Sequence, residues 1–280
     1  MSRPQLGEIL AQADREGWAV PAVNVEGCEL AHTVIEVAEG ARSPLLLQVT
    51  PATFAALGWQ WHLAHLLDLC RRARVPAYLH LDHATAEADV ELALDLGADM
   101  VMFDGSMHPL EENIARTRAM AELAHRHRRL VEGEVGHVGR QGEPPAWSRL
   151  TSPDEARGFV RATGVDILAV AVGTRHGQSP GEGGVRLEAL APLRQAAGVP
   201  LVLHGASGVD AAVLRAATRQ GIAKVNVGTA VRAAFLEGFS TEHPTIRERL
   251  KAAAGRVRPV VLERIEAMGA KDRAREGVPS

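Results

Sequence analysis

The sequence predicts an α/β fold, a TIM-type (β/α)8 barrel with additional C-terminal helices, and three observations predict it. Short apolar runs alternate with helical periodicity, giving eight strand candidates each followed by a helix candidate. Those runs are apolar on both faces, as parallel strands covered by helices must be. Three of them run into a histidine: Val75 to His83, Leu168 to His176 and Pro200 to His204. Such ends converge only if the strands lie side by side with one common rim, where barrels of this kind place their chemistry. A doubly wound sheet fits less well, because the first strand lacks a glycine-rich dinucleotide turn.

In chain order, a helix over Gly7 to Arg15 precedes a strand at Trp18 to Asn24. Glu29 to Glu39 carries an apolar stripe, and Arg42-Ser-Pro leads to the strand Leu45 to Val49. The amphipathic helix Trp59 to Arg72 follows, with His62 and His65 as packing or surface residues. After the strand ending at His83, Thr85 is placed to cap a helix that runs to Leu96. Further strands are expected at Asp99 to Phe103, Leu130 to Val135, Ile167 to Val172, Pro200 to His204 and Ala223 to Val227. Between them lie helices over about Leu110 to Arg126, from Pro153 with Ser152 as cap, Arg186 to Ala197, Asp210 to Arg219 and Ala230 to Glu237. Gly136 to Pro153 contains the longest irregular connection, read as either a flap over the site or an exposed insertion. Two extra helices, Thr245 to Ala253 and Val257 to Met268, form a C-terminal extension over about 243–270.

A chain of 280 residues with 46% hydrophobic content can bury one substantial core, so residues 1–280 are read as a single domain. The formal charge of -3 offers no basic excess for nucleic acid, and no run reaches the length of a membrane span. Cys28 and Cys70 lack metal-type spacing, and the N-terminus lacks a secretory pattern; both fit a reducing, cytoplasmic location.

The rim would gather Asn24, Gln48, Asp82, His83, Asp104, Glu134, His176, His204 and Asn226. Three neutral imidazoles with an open fourth position suit a catalytic divalent metal, zinc by preference. Period-two alternation puts Glu132 and Glu134 on one strand face, where buried acids need a donor or a metal. The turns Gly205-Ala-Ser-Gly208 and Val227-Gly-Thr229 precede helices, and their backbone donors with Ser207 and Thr229 make a phosphate cradle.

On these residues the chain resembles the zinc-dependent class II fructose- and tagatose-bisphosphate aldolases over nearly its full length. The resemblance rests on Pro21-Ala-Val-Asn24, Arg42-Ser-Pro44, His80-Leu-Asp-His83, Asp104-Gly-Ser106, Glu132-Gly-Glu134-Val-Gly136, Gly173-Thr-Arg-His-Gly177, His204-Gly-Ala-Ser207 and Lys224-Val-Asn226 in order. It implies that His83, His176 and His204 hold a zinc ion, or another divalent metal, with Asp104 and Glu134 at an alternative inward position. Asp82 would carry the proton of the aldehyde-derived oxygen, and Glu143 would be the base acting on dihydroxyacetone phosphate. Asn24, Asn226, Gly177, Gly205, Ser207, Gly228 and Thr229 would bind substrate, with a monovalent cation near the phosphate. Arg175 stands where the family usually has a small residue, and would either engage an anionic group, a phosphate, sulfonate or carboxylate, or point away to a surface acid. Lys224 is read as a structural strand residue rather than a nucleophile.

Fructose 1,6-bisphosphate is the default substrate, with tagatose 1,6-bisphosphate or another dihydroxyacetone-phosphate-dependent reaction as the alternative. Metal-dependent isomerase, epimerase or hydrolase chemistry and a non-catalytic assembly role are the competing classes. Arg175, Met107-His108-Pro109, Gln178-Ser-Pro-Gly and the Gly228/Ala230 pair depart from the family pattern and place the change in the aldehyde half of the site. A homodimer or homotetramer is expected, joined through the C-terminal helices.

Overall fold

The computed structural model describes residues 3–139, 149–178 and 184–274. After α1 (Leu6–Glu16), the units are β1 (Val20–Asn24) with α2 (Cys28–Gly40) and β2 (Leu45–Val49) with α3 (Pro51–Leu57) and α4 (Trp59–Arg72). Next come β3 (Ala77–Ala84) with α5 (Glu87–Asp95), β4 (Met100–Phe103) with α6 (Leu110–Arg126) and β5 (Leu130–Val135) with α7 (Pro153–Thr163). The last three are β6 (Ile167–Val170) with α8 (Leu187–Ala197), β7 (Leu201–Leu203) with α9 (Ala211–Thr218) and β8 (Ile222–Val227) with α10 (Thr229–Phe239). The strands close into a barrel in chain order, and the seam is a parallel pairing of β1 with β8 that sets Ala22 beside Asn226.

Apolar β-branched and leucine side chains fill the layer between strands and helices, as the two-faced burial of the strands requires. Gly133 shows how tight that layer is. A Cβ there would stand 2.8 Å from Phe159, 3.0 Å from Val165 and 3.2 Å from Thr117. Gly133→Ala should therefore destabilise the protein by about 1–3 kcal/mol through overpacking. Denaturant unfolding checks this, and unchanged stability would show that α7 can yield.

Three helix expectations differ from the structure. The two C-terminal helices are one, α11 (Ile246–Met268), with Thr245 as its cap and Pro259 inside it. Ala253, Val257, Val261 and Ile265 form an uninterrupted buried stripe, and this packing holds the helix through the missing proline N–H. α3 was not anticipated, although Thr50 accepting from Thr53 N with Pro51 at the first turn is a capping signature. Thr85 does not cap α5: β3 continues to Ala84, the N-cap is Ala86, and Glu87 and Asp89 supply the first-turn charge instead.

Ser152 does cap α7, in a reciprocal box with Glu155. The long connection is tied at both ends by a backbone bond from His137 N to Arg149 O of 2.8 Å. Glu143 and Trp147, on which the flap reading falls, lie outside the described residues.

Candidate active site

Alternation along β3, β5 and β8 turns His80 and Asp82, Glu132 and Glu134, and Lys224 and Asn226 to the barrel interior, where all six are buried. The lower layer is a charged network. The Lys224 ammonium donates to Glu132 Oε2 at 2.8 Å and to Asn226 Oδ1 at 2.7 Å, while Glu132 Oε1 lies 2.7 Å from His204 Nε2. His80 stands 3.8 Å from Glu132, below the mouth. An ammonium can only donate, so it fixes the Asn226 amide with its nitrogen toward Asp82. Asp82 accepts from Asn226 Nδ2 at 3.1 Å and from Asn24 Nδ2 at 3.0 Å, one bond to each oxygen.

His83 breaks the alternation. Its φ is +52°, and the β3–β4 register slips between Leu81 and Ala84. A non-glycine residue held there is strained, and the slip turns two consecutive side chains, Asp82 and His83, into the mouth. His83 Nδ1 is bonded to Asp104 Oδ2 at 2.8 Å. Asp104 Oδ1 in turn accepts from Ser106 N and Oγ, and Ser106 Oγ lies 3.0 Å from His137 Nδ1 at the start of the long connection.

His83, His176 and His204 meet edge to face, with ring centroids 4.7 to 5.7 Å apart. One ring nitrogen from each lies within 4.8 Å of the others, and His83, Asp104 and Glu134 form a second such group. His83 Nε2 and His204 Nδ1 face one another at 2.9 Å, their opposite nitrogens being engaged by Asp104 and Glu132. Glu134 Oε1 accepts from Val138 N, while its buried Oε2 has no hydrogen-bond partner among the described residues. This donor set fits a divalent metal: imidazoles oriented by carboxylates, beside a carboxylate oxygen left over.

The electrostatics agree. Burial works against a charged His83 ring, yet Asp82 and the bonded Asp104 outweigh it and raise the group to about 10. Burial and the Asp104 charge push Glu134 up to about 8. Burial alone would raise Asp82 and Asp104 as well. The histidines and Lys224 hold Asp82 well below the usual carboxylate range, and His83 with Ser106 does the same for Asp104. Carboxylates converging on imidazoles draw positive charge in.

Beside these groups a cavity of about 630 Å³ opens, bringing together Asn24, Asp82, His83, His176, Gly177, Gly205, Ser207, Asn226, Gly228 and Thr229. Gly205 has φ +63° and lies so close to the Arg175 backbone that a Cβ would meet it at 2.6 Å. Arg175 itself does not line the cavity; its amide donates to Gln178 Oε1. Sequence reasoning missed Thr50, Pro51 and Thr85 on the rim, and above all Arg232. The available signal for Arg232 was its place one turn into α10, where the helix dipole disfavours a cation unless an anion joins it.

A barrel with three histidines from separate strand ends, acids around them and a glycine-lined cradle alongside defines a metal-site enzyme of the (β/α)8 class. Comparison with known proteins sharpens this. The family model "Fructose-bisphosphate aldolase class-II" matches residues 4–273, so the chain belongs to the class II fructose-bisphosphate aldolase family and is a carbon–carbon lyase. It is 37% identical over 271 residues to the D-tagatose-1,6-bisphosphate aldolase subunit GatY of Klebsiella oxytoca, covering 93% of this chain and 95% of that one. Among solved structures, it superposes on the YdjI aldolase of Escherichia coli K12 with TM-score 0.88 and 29% identity, covering 96% and 98% of the two chains. A putative fructose-1,6-biphosphate aldolase from Coccidioides immitis gives 0.89 and 28%, with coverage of 96% and 97%. Class II aldolase activity on a phosphorylated sugar follows at the level of class.

Proposed function

We propose that the chain cleaves, and in reverse forms, tagatose 1,6-bisphosphate or another ketose phosphate that yields dihydroxyacetone phosphate. The observation that carries this choice over fructose 1,6-bisphosphate is the near full-length likeness to a protein named for the tagatose sugar. The cavity supports the phosphorylated triose half: glycine turns and two hydroxyls open beside the histidines.

In this reading His83, His176 and His204 hold a divalent metal, zinc being the ion three imidazoles suit, with Asp104 and Glu134 at an inward alternative position. When bound, it supplies a Lewis acid that polarises the substrate carbonyl. Gly177, Gly205, Ser207, Gly228 and Thr229 receive the phosphate, with a monovalent cation alongside. In the cleavage direction Asp82, ionised and aimed by Asn24 and Asn226, takes the proton of the hydroxyl on the aldehyde-forming carbon as the carbon–carbon bond breaks. Glu143 returns a proton to the carbon of the dihydroxyacetone phosphate half. Lys224, enclosed by Glu132 and Asn226, serves the frame.

We also place the protein in the cytoplasm as a homodimer or homotetramer, in keeping with its two free cysteines and its family. Among the described residues no helix is long and apolar enough to cross a membrane.

A panel of tagatose, fructose and other ketose bisphosphates, with products identified, tests the proposal. Chelation should abolish cleavage and zinc should restore it. Cleavage indifferent to chelation sinks the metal reading. A rearranged sugar with no triose product would favour isomerase or epimerase chemistry.

A further inference from the structure

We propose that Arg232 is the counter-charge for the substrate phosphate, and that Glu26 holds its guanidinium at the rim until the anion displaces it. The inference rests on the phosphorylated-sugar reading above and deepens it. Arg232 is the one lysine or arginine among the described residues that lines the cavity. Beside the monovalent cation proposed above, the chain itself otherwise offers the phosphate hydroxyls, backbone and the N-terminus of α10, whose Gly228 cap contributes no side-chain bond. A phosphate dianion placed there needs more neutralisation than a helix end gives.

The guanidinium already lies across that end. Nη2 is 3.5 Å from Thr229 Oγ1, and Nη1 is 2.9 Å from where a Cβ on Gly228 would stand. A side chain at 228 would therefore crowd the guanidinium end, which glycine leaves clear. Nη1 donates to Glu26 Oε1 at 3.0 Å, joining α10 to the turn between β1 and α2. Both side chains of this pair are 43% exposed. An ion pair so wet is worth little, so a phosphate can take its place at small cost. A planar fork offering paired donors is the group best matched to phosphate oxygens, and an exposed glutamate is a weak placeholder for them.

The test uses the metal-loaded full chain and inorganic phosphate as probe, by titration calorimetry, beside steady-state cleavage. Arg232→Gln should weaken phosphate binding roughly tenfold and raise KM for the ketose bisphosphate by a similar factor, as expected for one charge-assisted contact. Its kcat should stay within about threefold, and Arg232→Lys should recover part of the loss. Glu26→Gln should tighten phosphate up to about fivefold, the yield of releasing one exposed pair. A purely structural arginine would give neither the gain in Glu26→Gln nor the rescue by lysine. Phosphate affinity within twofold of wild type in Arg232→Gln overturns the inference, even with cleavage intact. If no ketose bisphosphate is cleaved but both phosphate effects appear, the proposed function falls and the anion site stands.

Discussion

Asp82→Ala is expected to keep its full metal content and lose turnover by about a thousandfold or more. The carboxylate stands at neither group of candidate ligand atoms, so metal analysis should match wild type. In the proposed function it holds a proton-accepting position. Two amides donate to it, one from β1 and one from β8, so both oxygens are fixed and the group stays ionised. General acid–base groups so placed contribute about 10²–10⁴ in rate. Loss of the carboxylate leaves Asn24 and Asn226 facing the cavity, where water can satisfy them, so folding should be little affected. Turnover within tenfold of wild type would move the proton transfer to another residue. Metal loss along with activity would give Asp82 a binding role instead.

Glu132→Ala should be the most destabilising single change in the interior. It removes the carboxylate partner of a fully buried lysine, and breaking such a pair costs about 3–5 kcal/mol. The same variant frees His204 Nε2, so metal affinity should fall as well. Adding Lys224→Met should recover much of the stability while leaving metal binding weak, a cycle that separates the two roles. Recovery of both, or of neither, would refute the division.

Acid adds a second readout. Burial opposes the Glu132 charge, but Lys224 and His204 prevail and hold it down to about 2 against 4.5 for the free group. A depressed carboxyl contributes stability above about 4.5, and that contribution fades as pH falls toward 2. His80, pressed down to about 3 by burial and by Lys224, takes up a proton on unfolding below its ordinary 6.5, which has the same sign. Urea unfolding between pH 3 and 8 should therefore show a shallower acid limb below about 4.5 in Glu132→Ala.

The strand ends were legible because a parallel barrel leaves its polar residues at one rim: Asp82, His83, His176, His204 and Asn226 could be assigned to one mouth before any coordinate. Their partners were not. That Glu132 on β5 reaches both Lys224 on β8 and His204 after β7 depends on barrel closure, which sequence spacing does not encode. The basic residue near the glycine turns illustrates the same limit. Arg175 adjoins a candidate ligand histidine in sequence, yet its backbone packs against Gly205, whereas Arg232 reaches the cavity from a helix turn. α11 ran past Pro259 because a buried stripe outweighed one absent hydrogen bond, a balance that local propensity does not contain.

The bridge from His137 to Arg149 has a consequence for how this barrel can be rebuilt. It fixes the points at which the connection after β5 leaves and rejoins the frame. Chain exchanged between those points need not disturb β5, the His83–Asp104–Ser106 chain or the capping box of α7. Sequence between those points is thereby exchangeable as a cassette, provided Glu143 is kept for its proposed role, while the histidines, Asp82 and the glycine turns are inherited unchanged.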